Sequence, residues 1–358
     1  MLVGGAGTRL RPLTLTVPKQ VLPIVEVPMI ERVLAHLEPH GIDEVVLSLG
    51  YLHDAFTALF PEARSGNVRL VYAVEPEPLD TAGAIGFAAR AARIDERFLV
   101  VNGDILTDLD VSAMVDFHVK RDAQATISLA QVPDPSAFGL VPIDGEGQVV
   151  AFVEKPAPGA VGPSLINAGT YVLEPSVLDH IPEGRRVSIE RDVFPVLATA
   201  GTLYGFDSPS YWTDTGKPLE YLEANLDLVY GLRPGPPAPG AKPGANGIWT
   251  LGEADVGEGV QGPALIGVGA SVAAGATVEG SVVGAGSRIH PGARVVESVL
   301  LPEVVGGDRA VVNRSILGPG VRVGEGAEVS GLSVLGAGYE VDPGARLDGV
   351  RLPDLAAT

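Results

Sequence analysis

The chain has 358 residues, 46% of them hydrophobic, which is enough for two domains with a sizeable core. Its 44 acidic against 25 basic residues give a net charge of -19, which disfavours nucleic acid and anionic membrane as partners. There is no cysteine, which excludes disulfides, thiolate metal sites and a cysteine nucleophile, and neither a secretory leader nor an apolar run near ~20 residues is present, so the cytoplasm is the expected location.

The chain opens on LVGGAGTRLRPLTLTVPK, from Leu2 to Lys19. Gly4, Gly5 and Gly7 let backbone N–H groups come close to phosphate oxygens, and Thr8 adds a hydroxyl. Arg9 supplies a planar fork suited to phosphate and Lys19 a point charge, with Pro12 and Pro18 stiffening the loop between them. The pattern is neither GxxxxGK[ST] nor GxGxxG, because Leu10 stands where the last glycine would be. Three glycines alone serve equally as a tight turn. Only Leu2 and Val3 stand between Met1 and these glycines, so either the first strand is very short or the start lies upstream.

Downstream, Pro28 is placed to start a helix with Ile30, Val33, Leu34 and Leu37 on one face, ending near Pro39 and Gly41. A strand is expected over 45–49, a helix over 54–60, a strand over 68–74, a helix over 81–92 and a strand over 98–101. That alternation predicts an α/β, Rossmann-like domain with a mostly parallel sheet and ligands at the carboxyl ends of its strands. Asp104 follows the last strand in Asn102-Gly103-Asp104, where a carboxylate meets a metal-bound nucleotide or caps the helix expected from Val111, as Asp108 or Asp110 could equally do. Strands are expected over 125–132, 148–153, 170–173 and 202–206, with helices over 188–200 and 217–230. Asp214, between two threonines, is a second candidate metal ligand or a turn former.

Residues 231–247 hold five prolines and five glycines and read as a linker between a domain over 1–230 and another over 248–358. In the latter, 17-residue coils begin at Ala264, Ser281, Ser298 and Ser315, with a further turn near Leu332, and apolar residues recur every six positions. This hexapeptide pattern predicts a left-handed parallel β-helix.

The run GxGTRxxPxTxxxPK resembles the signature of the sugar-1-phosphate nucleotidyltransferases. VNGD at 101–104, EKP at 154–156, NAG at 167–169 and W-x-D-x-G from Trp212 follow in the order of that family, over residues 1 to about 230. The resemblance implies that a sugar 1-phosphate attacks a nucleoside triphosphate and expels pyrophosphate, with Mg2+ held by Asp104 and Asp214. Arg9 and Lys19 then act with those aspartates in catalysis. Leu2, Gly4, Gly5, Gly7, Thr8, Glu75 and Gly83 fall at nucleotide-binding positions, the last at the start of a helix where a side chain would obstruct a ligand. Asn102, Gly139, Glu154, Lys155 and Asn167 fall at sugar-phosphate positions.

Glu75 stands where thymidylyltransferases of the family read thymine with glutamine. A carboxylate only accepts, so it complements the N1–H and N2–H₂ donors of guanine and favours GTP; read alone, Glu75 is a solvated strand end. Asp80 stands where relatives usually have glycine, adding a charge beside that position. Mannose 1-phosphate is the sugar implied by the resemblance, and UTP or dTTP with glucose 1-phosphate is the alternative pair. Two other classes are an acyltransferase using His290 of the solenoid as base, and a non-catalytic sensor of nucleotide sugars. Both domain types self-associate in the family, which implies a homo-oligomer.

Overall fold

The computed structural model describes residues 1–50, 52–154 and 164–353. The chain forms two compact units, one of Met1–Gly5 with Ile30–Thr213 and the other of Ala6–Met29 with Asp214–Thr358. Among the described residues no helix is long and apolar enough to cross a membrane.

In the first unit, helix α1 (Met29–Leu37) buries Ile30, Val33, Leu34 and Leu37, the face its spacing predicts, and a short turn ends it at Gly41 in the left-handed region. Strands β1 (Glu44–Leu49) and β2 (Val68–Val74) pair in parallel, separated by helix α2 (Asp54–Leu59). Helix α3 (Asp80–Ala91) leads to β3 (Phe98–Val101), and helix α4 (Val111–Lys120) to β4 (Ala125–Val132). Asp110 caps α4, its Oδ1 accepting from the Ala113 N–H at 2.9 Å, so Asp104 is released from that duty.

The sheet is mixed. Leu2 bridges in parallel to Ser48 and to Asn102, whereas the long strand β7 (Ser164–Leu173) is antiparallel to both β3 and β4. Strand β8 (Leu203–Asp207) then adds in parallel to β4. Alternate residues of these strands, Ile127, Leu129, Tyr171, Leu173 and Leu203, form a core with Ile85 of α3 and Phe194 of helix α5 (Phe194–Thr199). Asn167-Ala168-Gly169 lies inside β7 rather than ahead of it, at a register shift between Asn167 and Tyr171. The strand expected over 148–153 is discontinuous. Gln148 bridges Tyr204 while Val149 bridges Ile143, and only β6 (Val153–Glu154) forms a ladder, with β5 (Gly139–Leu140). Neighbouring backbone groups go to different partners there, so no single ladder builds up.

In the second unit, residues 255–352 form a parallel β-solenoid whose coils stack Val282, Val299, Ile316 and Val334 in register. From Ser271 onward the spacing is 17 residues until one extra residue enters between Val329 and Val334, where Gly331 and Leu332 both take positive φ. The serine row therefore continues at Ser333. Ser281, Ser298, Ser315 and Ser333 are fully buried and form a ladder. Ser298 Oγ donates to the Val296 carbonyl at 2.7 Å and accepts from the Ser315 N–H at 3.1 Å, and Ser281 does the same one coil earlier. Each of these two hydroxyls satisfies the N–H of the next coil's serine and gives a second bond to a carbonyl that already accepts from the next coil. The proline- and glycine-rich stretch before the solenoid ends in order, since Lys242–Pro243 pairs antiparallel with Trp249–Thr250. Helix α6 (Pro218–Val229) belongs to this unit, and its Asn225 Oδ1 accepts from the Val25 N–H at 2.7 Å.

Replacing Ser298 with alanine strands the buried Ser315 N–H, for an expected loss of about 1–3 kcal/mol. Chemical denaturation followed by far-UV circular dichroism measures it; an unchanged midpoint would show that the ladder contributes nothing.

Candidate active site

The first unit gathers its predicted residues at the carboxyl ends of β1, β2 and β3. Leu2 N–H donates to the Val101 carbonyl at 2.8 Å, and the Gly103 N–H returns a bond to the Leu2 carbonyl at 2.9 Å. These bonds place Gly4 and Gly5, both exposed, directly beyond the strand ends, and set half-buried Asn102 and Asp104 beside them. A cavity of about 250 Å³ opens here, lined by Leu2, Gly4, Gly5, Glu75, Leu79 and Arg186 among others.

Glu75 is not a loosely solvated strand end. Its Oε1 accepts from Ser48 Oγ at 2.9 Å and its Oε2 from the Leu79 N–H at 3.1 Å, so the carboxylate braces the turn that enters α3. An ionised carboxylate has about four lone-pair sites, which leaves about two for a ligand. Asp80 sits at φ 62 and is compensated, its Oδ2 accepting from Arg191 at 2.8 Å and its Oδ1 from the Thr81 N–H at 2.9 Å.

Gly83 has a packing task as well. A Cβ there would lie 2.7 Å from the Arg185 carbonyl oxygen and 2.8 Å from Leu79 Cβ. The missing side chain lets the strap 185–187 lie against α3, where the Val187 carbonyl accepts from the N–H groups of Ala82 and Gly83 at 2.9 and 3.1 Å. The obstruction that a Cβ would meet there is protein.

The sugar-side positions also converge within this unit. Gly139 pairs through the backbone with Glu154, and Leu140 pairs with Ile166, next to Asn167. Trp212 Nε1 donates to the Ala168 carbonyl at 2.9 Å, and its ring meets Phe138 edge-on at 5.5 Å. The Asn167 amide spans the bulge of β7, donating to Tyr171 Oη and accepting from the Gly169 N–H, each at 2.9 Å. Lys155 lies outside the described residues.

The second unit holds Gly7, Thr8, Arg9, Lys19 and Asp214. Gly7, at φ 58, starts the one-turn helix Thr8–Leu10, and buried Thr14 donates to its carbonyl at 2.7 Å. Lys19 opens a second short turn after Pro18. Arg9 and Asp214 meet over Gly216, where an added Cβ would lie 2.8 Å from both Arg9 Nη2 and Asp214 Oδ1. Any larger residue would push apart a cation and a carboxylate that the sequence separates by two hundred positions. The Asp214 Oδ1 also accepts from the Gly216 N–H at 2.8 Å. From the solenoid end, Arg351 donates to the Arg9 carbonyl at 3.0 Å.

Among the described residues no group of three or more His, Asp or Glu side chains could hold a metal ion. Single carboxylates such as Asp104 and Asp214 suit a hard cation that keeps waters and takes substrate phosphates as its other ligands. In the solenoid, His290 is paired with Asp308 at 3.3 Å, both half-exposed.

Sequence reasoning passed over Ser48 and Arg186, and it gave Thr14 and Gly216 no task beyond their places in the two motifs.

The family model described as nucleotidyl transferase matches residues 1–230, and that described as GMPPB C-terminal domain matches residues 260–353. The chain is 39% identical to a mannose-1-phosphate guanylyltransferase of Mycobacterium tuberculosis, over 79% of this chain and 78% of the relative. It is 32% identical to a UTP–glucose-1-phosphate uridylyltransferase of Synechocystis, over 84% and 86% respectively. A solved structure of HddC from Yersinia pseudotuberculosis complexed with GMP-PN superposes with a TM-score of 0.54 at 31% identity, covering 63% of this chain and 96% of that one.

Alanine in a helix normally gains about 1 kcal/mol over glycine, but overpacking against backbone costs about 1–3 kcal/mol. Gly83→Ala is therefore expected to destabilise the protein in urea unfolding, whereas a gain in stability would show that the strap yields.

Proposed function

This chain belongs to the nucleotidyl transferase family, and from that we propose that it joins GTP and mannose 1-phosphate to give GDP-mannose and pyrophosphate. The observation that carries the choice of GTP is the Glu75 carboxylate, braced by Ser48 and Leu79 in a cavity shared with Gly4 and Gly5. Its remaining lone pairs match the donors of guanine and are wasted on the O4 acceptor of uracil. The 39% identity to a mannose-1-phosphate guanylyltransferase supports the sugar.

In this reading a phosphate oxygen of the sugar 1-phosphate attacks the α-phosphorus of GTP, the bond from that phosphorus to the bridging oxygen breaks, and pyrophosphate leaves. No covalent enzyme intermediate is needed, so the protein's work is alignment and charge stabilisation. Backbone N–H groups of the glycine loop and the Thr8 hydroxyl receive the phosphates. Arg9 and Lys19 stabilise negative charge on the α-phosphate and on departing pyrophosphate. Lys155 orients the nucleophile, with Asn102, Gly139, Glu154 and Asn167 around the sugar. Asp104 and Asp214 are assigned to magnesium, which when bound supplies charge neutralisation at the phosphate oxygens. The uridylyltransferase relative supports a second reading, with UTP and glucose 1-phosphate as the pair.

Pyrophosphate release should be measured with magnesium across the four ribonucleotides and dTTP, against mannose 1-phosphate and glucose 1-phosphate. The expected result is turnover with GTP and mannose 1-phosphate that falls roughly a hundredfold or more in Asp104→Ala. Preference for UTP or dTTP would overturn the argument from Glu75, and absence of release with every pair would overturn the enzymatic reading.

A further inference from the structure

The cavity beside the glycine loop has an uneven polar inventory. Glu75 and Asp80 both line it, and both are engaged: Glu75 with Ser48 and Leu79, Asp80 with Arg191 and Thr81. Thr81 is engaged as well, its hydroxyl donating to Glu190 at 2.7 Å. Arg186 lines the same cavity, is exposed, and makes no ion pair or side-chain hydrogen bond among the described residues. Its backbone is nevertheless fixed. The next residue, Val187, donates its N–H to the Leu79 carbonyl at 3.0 Å and accepts from Ala82 and Gly83, so the strap carrying Arg186 is tied to the turn that Glu75 braces.

We propose that Arg186 is a specificity-determining residue that donates to O6 and N7 of guanine, opposite the N1–H and N2–H₂ edge taken by Glu75. The inference rests on the guanylyltransferase reading and deepens it. Chemistry favours the base over the phosphates as the partner of Arg186. Glu75 keeps a carboxylate on this cavity with no cation paired to it among the described residues, which disfavours a triphosphate, whereas guanine is neutral and brings donors for a carboxylate together with two adjacent acceptors. A guanidinium fork matches that acceptor pair in a bidentate manner, and Pro78 and Leu79 line the cavity with apolar surface for the ring. Uracil and thymine have no N7, so with them the fork keeps only one of its two bonds.

The test compares GTP with 7-deaza-GTP, which lacks only the N7 acceptor, in the full-length protein and in Arg186→Gln and Arg186→Lys. Wild type is expected to prefer GTP roughly five- to tenfold in kcat/KM, and that preference should shrink to near unity in both variants. Arg186→Gln should also lose roughly ten- to a hundredfold with GTP, while KM for mannose 1-phosphate stays unchanged. Equal losses with GTP and 7-deaza-GTP, or rescue of the preference by lysine, would overturn the inference in favour of a charge acting on phosphate. Unchanged kinetics in both variants would overturn it outright. A wild-type protein that turns over UTP or dTTP but not GTP would overturn the guanylyltransferase reading and this inference with it.

Discussion

The first unit depends on two main-chain bonds made by one residue. Leu2 sits between β1 and β3, bonded through its N–H to Val101 and through its carbonyl to Gly103, while the adjoining Val3 N–H reaches Ser48. This pairing unites the parallel pair β1 and β2 with the antiparallel group around β7. The glycines that follow Leu2 leave the sheet where β1, β2 and β3 end. Ser48 is the neighbour of Leu2 on one side and the donor to Glu75, and Asn102 is its neighbour on the other side and begins the turn to Asp104. A displacement of Leu2 would therefore reach both the nucleotide-side and the metal-side candidates.

The second unit meets a different constraint, namely that a narrow solenoid has corners where backbone groups lose their ladder partners. Buried serines answer it in one row, and valines, isoleucines and leucines fill the interior beside them. Repetition makes the answer cumulative, since the hydroxyls of Ser281, Ser298 and Ser333 each bridge their own coil to the next. The same unit carries residues 6–29, so Arg9 is held by the solenoid's Arg351 through its carbonyl and lies beside Asp214 over Gly216. The solenoid thus takes part in placing a residue on which the proposed chemistry relies.

An acidic chain that binds anions must oppose its own field locally. Asp80 is neutralised by Arg191, and the carboxylate of Glu75 is spent partly on Ser48 and Leu79. What then faces a ligand near the glycine loop is a small set of groups with defined hydrogen-bonding capacity rather than a broad basic patch. Such a cavity suits recognition of a neutral heterocycle.

Much of this protein was legible in the residues alone. Apolar spacing and short apolar runs located α1, β1, β2, β3 and β4 almost to the residue, because those patterns are local. The solenoid was legible because seventeen-residue repetition leaves few other folds. The motifs named the candidate residues, since glycine, arginine, lysine and aspartate carry phosphate and metal chemistry wherever they stand. The tertiary structure alone decided which duties those residues share. It gave the cap of α4 to Asp110, turned Gly83 toward protein packing, split the stretch 148–153 between two partners and brought Arg186 to the wall that holds Glu75. The strap against Gly83 and the place of Arg186 depend on what a distant segment presses against, and sequence spacing holds no record of contacts between residues a hundred positions apart.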